Sequence, residues 1–241
     1  MRRFRLLRRS MLTLAAVSLA YVGLLVYPQP LFAYELRHAG IVLHATRPIP
    51  DAMKTTLERA RLRLDRSPLG AAVQDGHVFI CHSQSLFAVF ARQNYRVGGI
   101  ANWLIGGHVF LRESDLQNDR LIAPSGKPVA PDRPLSYFIA HELMHIGNER
   151  AVGRWHYSQL PQWLDDGYAD YVARDIDYAD ALKKLKSDAR ELDPARSGLY
   201  LRYHLMVAYL VEKKGLAIGE LLAHPPDRHT VEQELLARSS W

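Results

Sequence analysis

The pattern of apolar and polar positions changes near the middle of the chain. In the first half, apolar runs are short and bounded by glycine, proline or polar turns, which is typical of strands. From residue 135 onward the apolar positions follow helical spacing. Between the two parts, residues 112–135 are polar and rich in proline and predict a surface loop. Strands followed by helices indicate an α+β fold.

The predicted elements have definite bounds. Strands are predicted at 38–46, 78–81 and 108–112, and helices in the first half at 51–65 and 85–94. In the second half, helices are predicted at 135–147, 161–175, 178–190, 198–214 and 230–238. Asp132 and Pro134 are the expected start signals of the helix at 135–147, and Gly147 is its expected end.

The longest apolar run lies near the N-terminus. Residues 10–27 carry no charge, and as a helix these 18 residues span about 27 Å, close to the roughly 30 Å hydrocarbon core of a membrane. Five arginines precede the run, and residues 1–33 contain no acidic residue. Because positive residues stay on the cytoplasmic side, residues 1–33 are predicted to be an Arg-rich cytoplasmic tail and a transmembrane signal-anchor. Residues 34–241 would then lie on the periplasmic side of a bacterial inner membrane.

The same N-terminal segment admits a second interpretation, a signal peptide cleaved after Ala33. Signal peptidases usually need small residues at positions −3 and −1, and Leu31 at −3 is unfavourable. The apolar run is also longer than the 7–15 residues typical of a signal peptide. We therefore predict a single-pass anchored domain and keep secretion after cleavage as the alternative.

Composition and charge agree with one globular domain. The chain has 241 residues, of which 48% are hydrophobic and 23% charged, so disorder, collagen and coiled coil are excluded as descriptions of the whole. The formal net charge is +6, but the five N-terminal arginines leave only +1 for residues 34–241, and no nucleic-acid partner is expected. The single cysteine, Cys81, excludes an intrachain disulfide and a cysteine-based zinc site.

The strongest chemical signal lies in the helix predicted at 135–147. His141 and His145 are four positions apart, so their imidazoles project from one face of a helix and can share a metal ion. Glu142 follows the first histidine, where its carboxylate can reach a metal-bound water without being a ligand. This H-E-x-x-H pattern is typical of zinc hydrolases. A catalytic zinc also needs a third protein ligand and one open position.

A downstream acidic segment supplies the candidates for the third ligand. Asp166 lies 20 residues after His145, and Asp170 falls on the same helical face four residues later. Metal-ligating histidines usually pass their other ring N–H to a carboxylate, and Asp170 is predicted to serve His141 in this way. Asp165 and Asp170 stay open as alternatives to Asp166 in the ligand position.

These residues resemble the gluzincin metallopeptidases, the group that contains thermolysin and aminopeptidase N. The resemblance covers residues 134–215 in motif order and spacing, and rests on His141-Glu142-x-x-His145 followed by Trp163-Leu164-x-Asp166-Gly167-x-Ala169-x-Tyr171. In the family the second segment usually carries Glu where this chain has Asp166, and that Glu is the third zinc ligand. The resemblance implies the same role for Asp166. Because Asp is one methylene shorter, its helix must approach the ion more closely.

A third segment extends the resemblance. Tyr200 opens a predicted helix that ends at Gly215. In aminopeptidase N-like enzymes a tyrosine at this separation stabilises the tetrahedral oxyanion, which implies the same role for Tyr200, and Tyr203 or His204 could share it. Residues 98–103 (GGIANW) lack the glutamate with which those enzymes hold a free amine, so aminopeptidase activity is not expected.

The sequence therefore predicts a membrane-anchored zinc metallopeptidase with an α+β, zincin-like fold: a small N-terminal mixed sheet with helices, then a helical part. One Zn²⁺ is the expected cofactor, a peptide or protein the expected substrate, and Glu142 the expected general base. The strand at 108–112 is expected to offer its edge to an extended peptide. The alternative is an inactive zincin-fold binding or scaffold protein at the membrane. The intact Glu142 argues against it, because a structural zinc needs no base.

Overall fold

The computed structural model of the chain describes residues 2–92, 96–187 and 198–241, with side chains from residue 8 onward except at 198 and 199. Its centre is a five-stranded mixed sheet. The strands are β1 (Tyr34–His38), β2 (Ile41–Ala45), β3 (Gly76–Ile80), β4 (Gly99–Asn102) and β5 (His108–Leu111). Their order is β1-β2-β3-β5-β4, with parallel central pairs and an antiparallel pair at each edge. The predicted α+β class and mixed sheet are confirmed.

The first predicted strand is only the second half of a hairpin. β1 and β2 pair antiparallel from Tyr34↔Ala45 to His38↔Ile41. The turn between them has φ of 49° at Ala39 and 66° at Gly40, the left-handed conformation that tight hairpin turns require. Ala-Gly is a weak signal for such a turn, which is why the prediction merged the end of β1 with β2.

The predicted free edge at 108–112 is wrong. β5 lies between β3 and β4 in the sheet, and β4 is the edge strand on that side. β4 was not predicted as a strand, because Gly98 and Gly99 weaken its pattern. A turn with φ of 79° at Gly106 and 63° at Gly107 returns the chain antiparallel onto β5. The edge that could receive an extended peptide is therefore β4.

The helices agree with most predicted bounds. They are α1 (Arg2–Val26), α2 (Ala52–Leu64), α3 (Gln84–Phe90), α4 (Leu135–Val152), α5 (Arg154–Tyr157), α6 (Gln162–Ala173), α7 (Tyr178–Lys186), α8 (Gly198–Ala208), α9 (Ile218–Ala223) and α10 (Arg228–Ala237). A π-helical turn, Tyr209–Lys213, continues α8. The predicted ends of α3 and α7 fall partly on residues 93–94 and 188–190, which lie outside the described residues. The predicted loop at 112–135 contains a short hairpin, β6 (Ser114–Asp115) and β7 (Arg120–Leu121).

The helix that carries the histidine pair is longer than predicted. α4 runs through Gly147, which packs against Met144 and Val73, and ends before Gly153, whose φ is 80°. Its first turn is capped by Asp119 from the β6–β7 hairpin, since Asp119 Oδ1 accepts a 2.8 Å hydrogen bond from Ser136 N. Asp132, the expected start signal, instead forms an ion pair with Arg174, the residue that follows α6.

Alternation along the strands divides the sheet into two buried faces. One face packs on α2 and α4 through the side chains of Ile41, Leu43, Val78, Ile80, Val109 and Leu111. The opposite face carries Phe79 and Phe110, which pack with two phenylalanines of α3. Leu25 and Phe32 from the N-terminal segment complete this second core and are only 3% and 6% exposed.

The N-terminal helix contains a segment that is long and apolar enough to cross a membrane, residues Arg8–Val26. It could be an anchor or a signal sequence. Its last turns also contact the domain. Tyr21 OH donates a 2.8 Å hydrogen bond to Val89 O of α3, and His108 Nε2 lies 3.1 Å from Val26 O. The end of α1 is thus part of the folded domain.

Candidate metal centre

Two packed helices supply the candidate site. α4 carries His141, Glu142 and His145, and α6 carries the acidic residues of the downstream segment. α6 packs against α8 at Gly167, where an added Cβ would lie 2.8 Å from the carbonyl oxygen of Tyr203. Glycine therefore permits the close approach of α6 to α8.

Three side chains converge at one point between these helices. Asp166 Oδ1 lies 3.7 Å from His141 Nε2 and 3.6 Å from His145 Nε2. One potential ligand atom from each residue lies within 4.8 Å of the others. Ligands bound tetrahedrally at about 2.0–2.1 Å are separated by about 3.3 Å, so a small closure brings these atoms to coordinating distance. His141, His145 and Asp166 could therefore hold a metal ion.

Asp165 belongs to a different interaction. Its Oδ2 lies 2.9 Å from His145 Nδ1, the nitrogen on the side of the ring away from Asp166, and accepts a 2.7 Å hydrogen bond from Tyr157 OH. Asn148 Nδ2 donates to the other oxygen at 2.8 Å. Burial raises the pKa of Asp165, but His145 and these donors outweigh it, so the pKa is lowered and the carboxylate stays ionised. Asp165 thus contacts the other ring nitrogen of His145 and is not among the three side chains that converge.

This contact between Asp165 and His145 was not predicted from the sequence, which offered Asp165 as an alternative metal ligand. Adjacent helical residues point about 100° apart, so Asp165 and Asp166 approach the same histidine from its two nitrogens. The donors that hold Asp165 are Asn148 and Tyr157, and neither of them belongs to a sequence motif.

The predicted support of His141 by Asp170 is not observed. Tyr137 OH donates a 2.5 Å hydrogen bond to Asp170 Oδ1, and His204 Nδ1 lies 3.1 Å from Asp170 Oδ2. His141 Nδ1 is buried without a hydrogen-bond partner. Tyr137 lies one turn before His141 on α4, and its hydroxyl, not the ring of His141, contacts the carboxylate of Asp170. Burial raises the pKa of Asp170, but His204 and Arg174 lower it to about 2.

Glu142 is held between the histidines and the edge strand. It is 8% exposed, and an added Cβ on Gly99 of β4 would lie 2.8 Å from Glu142 Cγ. Glycine at this position lets β4 pass directly over the carboxylate. Burial raises the pKa of Glu142 above its ordinary value, which makes it a stronger base than an exposed carboxylate.

Of the three residues predicted to support the transition state, only Tyr200 reaches the cavity. Its ring centroid lies 5.5 Å from that of His141. Burial, together with Asp166 and Glu142, raises the pKa of Tyr200, so the phenol stays protonated. Tyr203 packs on Gly167 and under an arginine of α10, and His204 is fully buried against Asp170. Tyr203 and His204 are therefore not positioned for the expected role.

The candidate metal centre opens into a cavity of about 830 Å³. One wall is β4 and the segment before it, and the other walls come from α4, α6 and α8. Trp103 and Tyr157 pack edge to face at one side, with ring centroids 5.0 Å apart. Arg96 and Arg133 are the arginines of the lining. Its volume is in the range of sites that bind small ligands or peptide side chains.

The arrangement combines three potential metal ligands with a buried carboxylate and a protonated phenol at one cavity. Two imidazoles and one carboxylate leave coordination positions open to solvent when they bind an ion. Such a site could bind a metal ion and activate a water molecule. Compared with known protein families, with proteins of curated function and with solved structures, the chain matches none of them.

Proposed function

We propose that this chain is a zinc-dependent metallopeptidase of the gluzincin type, anchored in the membrane. One observation carries the proposal: Asp166 lies within 4 Å of both Nε2 atoms of His141 and His145, beside Glu142 in the same cavity. Two nitrogens, one oxygen and an open position form the ligand set of catalytic rather than structural zinc sites. The motif order His-Glu-x-x-His, then Asp166, then Tyr200 supports the zincin-like fold.

The residues of the chain divide the chemistry among them. A bound zinc ion supplies a water molecule of lowered pKa and a Lewis acid for the substrate carbonyl. Glu142 takes a proton from the attacking water and returns it to the leaving amine. Tyr200 donates a hydrogen bond to the carbonyl oxygen as negative charge develops on it. Asp165 keeps His145 in the tautomer that leaves Nε2 free for the metal.

The edge strand β4 is the proposed guide for the substrate backbone. It passes over Glu142 at Gly99 and forms one wall of the cavity. An extended peptide that adds to this edge would hydrogen-bond to the free side of β4 and bring its carbonyls over the metal centre. Gly99→Ala would press a methyl group into Glu142, so glycine is needed for this close passage.

Hydrolysis should require the metal. The full chain in detergent is expected to cleave an unfolded, fluorescently labelled protein substrate, and prolonged dialysis against a chelator should lower the rate by at least about 100-fold. One equivalent of zinc should restore it. Cleavage that survives the chelator would contradict the proposal. A chain that binds zinc but cleaves nothing would instead favour the scaffold alternative.

Metal affinity should depend on Asp165. Asp165→Asn keeps the size of the side chain but replaces an acceptor oxygen, so His145 loses its charged partner. We expect zinc to bind about 10–100-fold more weakly, measured by competition with a chromophoric chelator. Asp180→Asn on α7 is the matched control, because Asp180 is 55% exposed and pairs with Lys184 on the surface. Unchanged affinity in a folded Asp165→Asn chain would remove this role.

The proposed anchor rests on the contacts of α1. Cleavage after Ala33 would remove Leu25 and Phe32 from the second core and the hydrogen bond from Tyr21 to α3. Burying two such side chains contributes about 3–6 kcal/mol, a large share of the stability of one domain. We infer that α1 is retained, with its arginines on the cytoplasmic side and the domain in the periplasm.

The intact mass of the chain tests this inference. When it is expressed in bacteria and extracted from the membrane fraction, the N-terminus is expected to precede residue 10. A mature chain that starts at Tyr34 would overturn the anchor. Leu31→Ala is the control, because it provides small residues at −3 and −1 of the same cut and Leu31 is 45% exposed. This variant shows whether cleavage at that position is detectable.

A further inference from the structure

One cationic side chain in the cavity has no acidic partner among the residues that the structure describes. Arg133 lies two residues before α4 and lines the cavity. Its Nε is buried without a hydrogen-bond partner, and its guanidinium lies 5.9 Å over the Phe138 ring. Within the described part of the chain no carboxylate forms an ion pair with Arg133. The neighbouring acid, Asp132, is paired with Arg174 at 2.5 Å.

Arg133 lines the same cavity as the proposed oxyanion donor, Tyr200, and the three potential metal ligands. Tyr137 is also part of this lining. The positive charge of Arg133 opposes the rise in the pKa of both phenols. An anion bound to Arg133 would therefore share the cavity with Tyr200.

The charge of the cavity favours an anionic ligand once an ion is bound. Among the described lining residues, the acidic groups are Glu142, Asp165 and Asp166, and the arginines are Arg96 and Arg133. A divalent cation would make the summed charge of these groups positive. A partly buried guanidinium is costly without a partner, and a carboxylate satisfies its fork of donors with two parallel hydrogen bonds.

We propose that Arg133 binds a carboxylate of the substrate close to the scissile bond. This deepens the proposed function and rests on it for the identity of the site. The carboxylate belongs either to the C-terminus of a peptide or to an Asp or Glu side chain. In both cases the substrate class is an acidic peptide held by one arginine beside the metal centre.

Four peptides of one sequence separate the two sources of the carboxylate. They carry Glu or Gln next to the cleaved bond, each with a free or an amidated C-terminus. For the full chain in detergent, Arg133→Met should raise KM about 10–100-fold for the peptides that carry the recognised carboxylate, with kcat changed much less. The neutral, amidated peptide should be unaffected. Arg133→Lys should recover part of the loss, because the charge returns without the planar fork.

Controls distinguish recognition from a structural role. Met keeps the contact with Phe138, and Arg47→Met removes an arginine that is 62% exposed and outside the cavity, so it should change no KM. An equal effect of Arg133→Met on all four peptides would overturn the proposal, because the arginine would then act through Tyr200 or the fold.

The proposal can fail separately from the catalytic one. Calorimetric binding of the same peptides to the zinc-loaded Glu142→Gln chain needs no hydrolysis. A carboxylate peptide should bind about 10–100-fold more tightly than the neutral one, and Arg133→Met should abolish that difference. Equal binding of all four peptides, or binding of none, overturns carboxylate recognition. Binding without cleavage by the native chain would overturn only the proposed hydrolysis.

Discussion

Glu142→Gln is expected to lower the rate of peptide hydrolysis by about 10²–10⁴-fold, the usual contribution of a general base. The amide has the size of the carboxylate and fits the same space beneath Gly99, but it cannot accept a proton. Because Glu142 is not among the three converging ligands, zinc affinity should stay nearly unchanged. The measurement is kcat for one peptide together with zinc content on the same preparation.

The matched control for this change is Glu149→Gln. Glu149 lies on the same helix and lies 3.4 Å from Arg154, outside the cavity. Its replacement should leave kcat within about two-fold, since Glu149 does not line the cavity. A Glu142→Gln chain that keeps its turnover would show that another group is the base, and one that loses its zinc would make Glu142 a ligand.

Asp166→Ala is expected to weaken zinc binding by more than about 100-fold, beyond the effect of losing an orienting partner. The substitution leaves two imidazoles, which bind zinc far less tightly than a set of three protein ligands. Hydrolysis should be lost with the metal. Competition with a chromophoric chelator measures the affinity, and thermal unfolding checks that the chain remains folded.

Asp180→Ala serves as the control for Asp166→Ala. Asp180 is an exposed acid on α7 whose partner is Lys184, so its loss should change neither metal affinity nor turnover. If Asp166→Ala retained zinc at native affinity, the carboxylate next in line would be Asp170, since Asp165 faces Nδ1 of His145. That outcome would require Asp170 to leave Tyr137 and His204.

The ligands could be predicted because they depend on local spacing. His141 and His145 share a face of α4 through the period of the helix alone. Asp166 required the resemblance as well, since three acids, Asp165, Asp166 and Asp170, lie within six positions of one another. The structure brings Asp166 to both histidines at 3.6–3.7 Å. The shorter Asp side chain is accommodated because α6 packs directly against α4.

The contacts of Asp165 and Asp170 could not be predicted, because they depend on packing between elements that are distant in sequence. Asp170 lies on the expected face, but Tyr137, one turn before His141, takes its oxygen. Asp165 finds His145 through donors from α4 and α5. No spacing rule in one sequence separates these outcomes.

The edge strand was missed for a different reason. Glycines weaken the strand pattern of β4, yet Gly99 is the position at which Glu142 needs room. Gly99 therefore both weakens the strand pattern and leaves the space that Glu142 needs. β2 was predicted too long because the Ala39-Gly40 turn is a weak signal. α4 was predicted too short because Gly147, a usual helix end, is buried by packing inside the helix.

The most direct test of the metal centre is zinc analysis of the purified full chain together with X-ray absorption at the zinc edge. One zinc per chain is predicted, coordinated by two imidazole nitrogens and by oxygens at about 2.0–2.2 Å, and the signal should be lost in His141→Ala. A preparation that binds no stoichiometric metal, or one whose zinc environment is the same in His141→Ala, would contradict the site on which the proposed function depends.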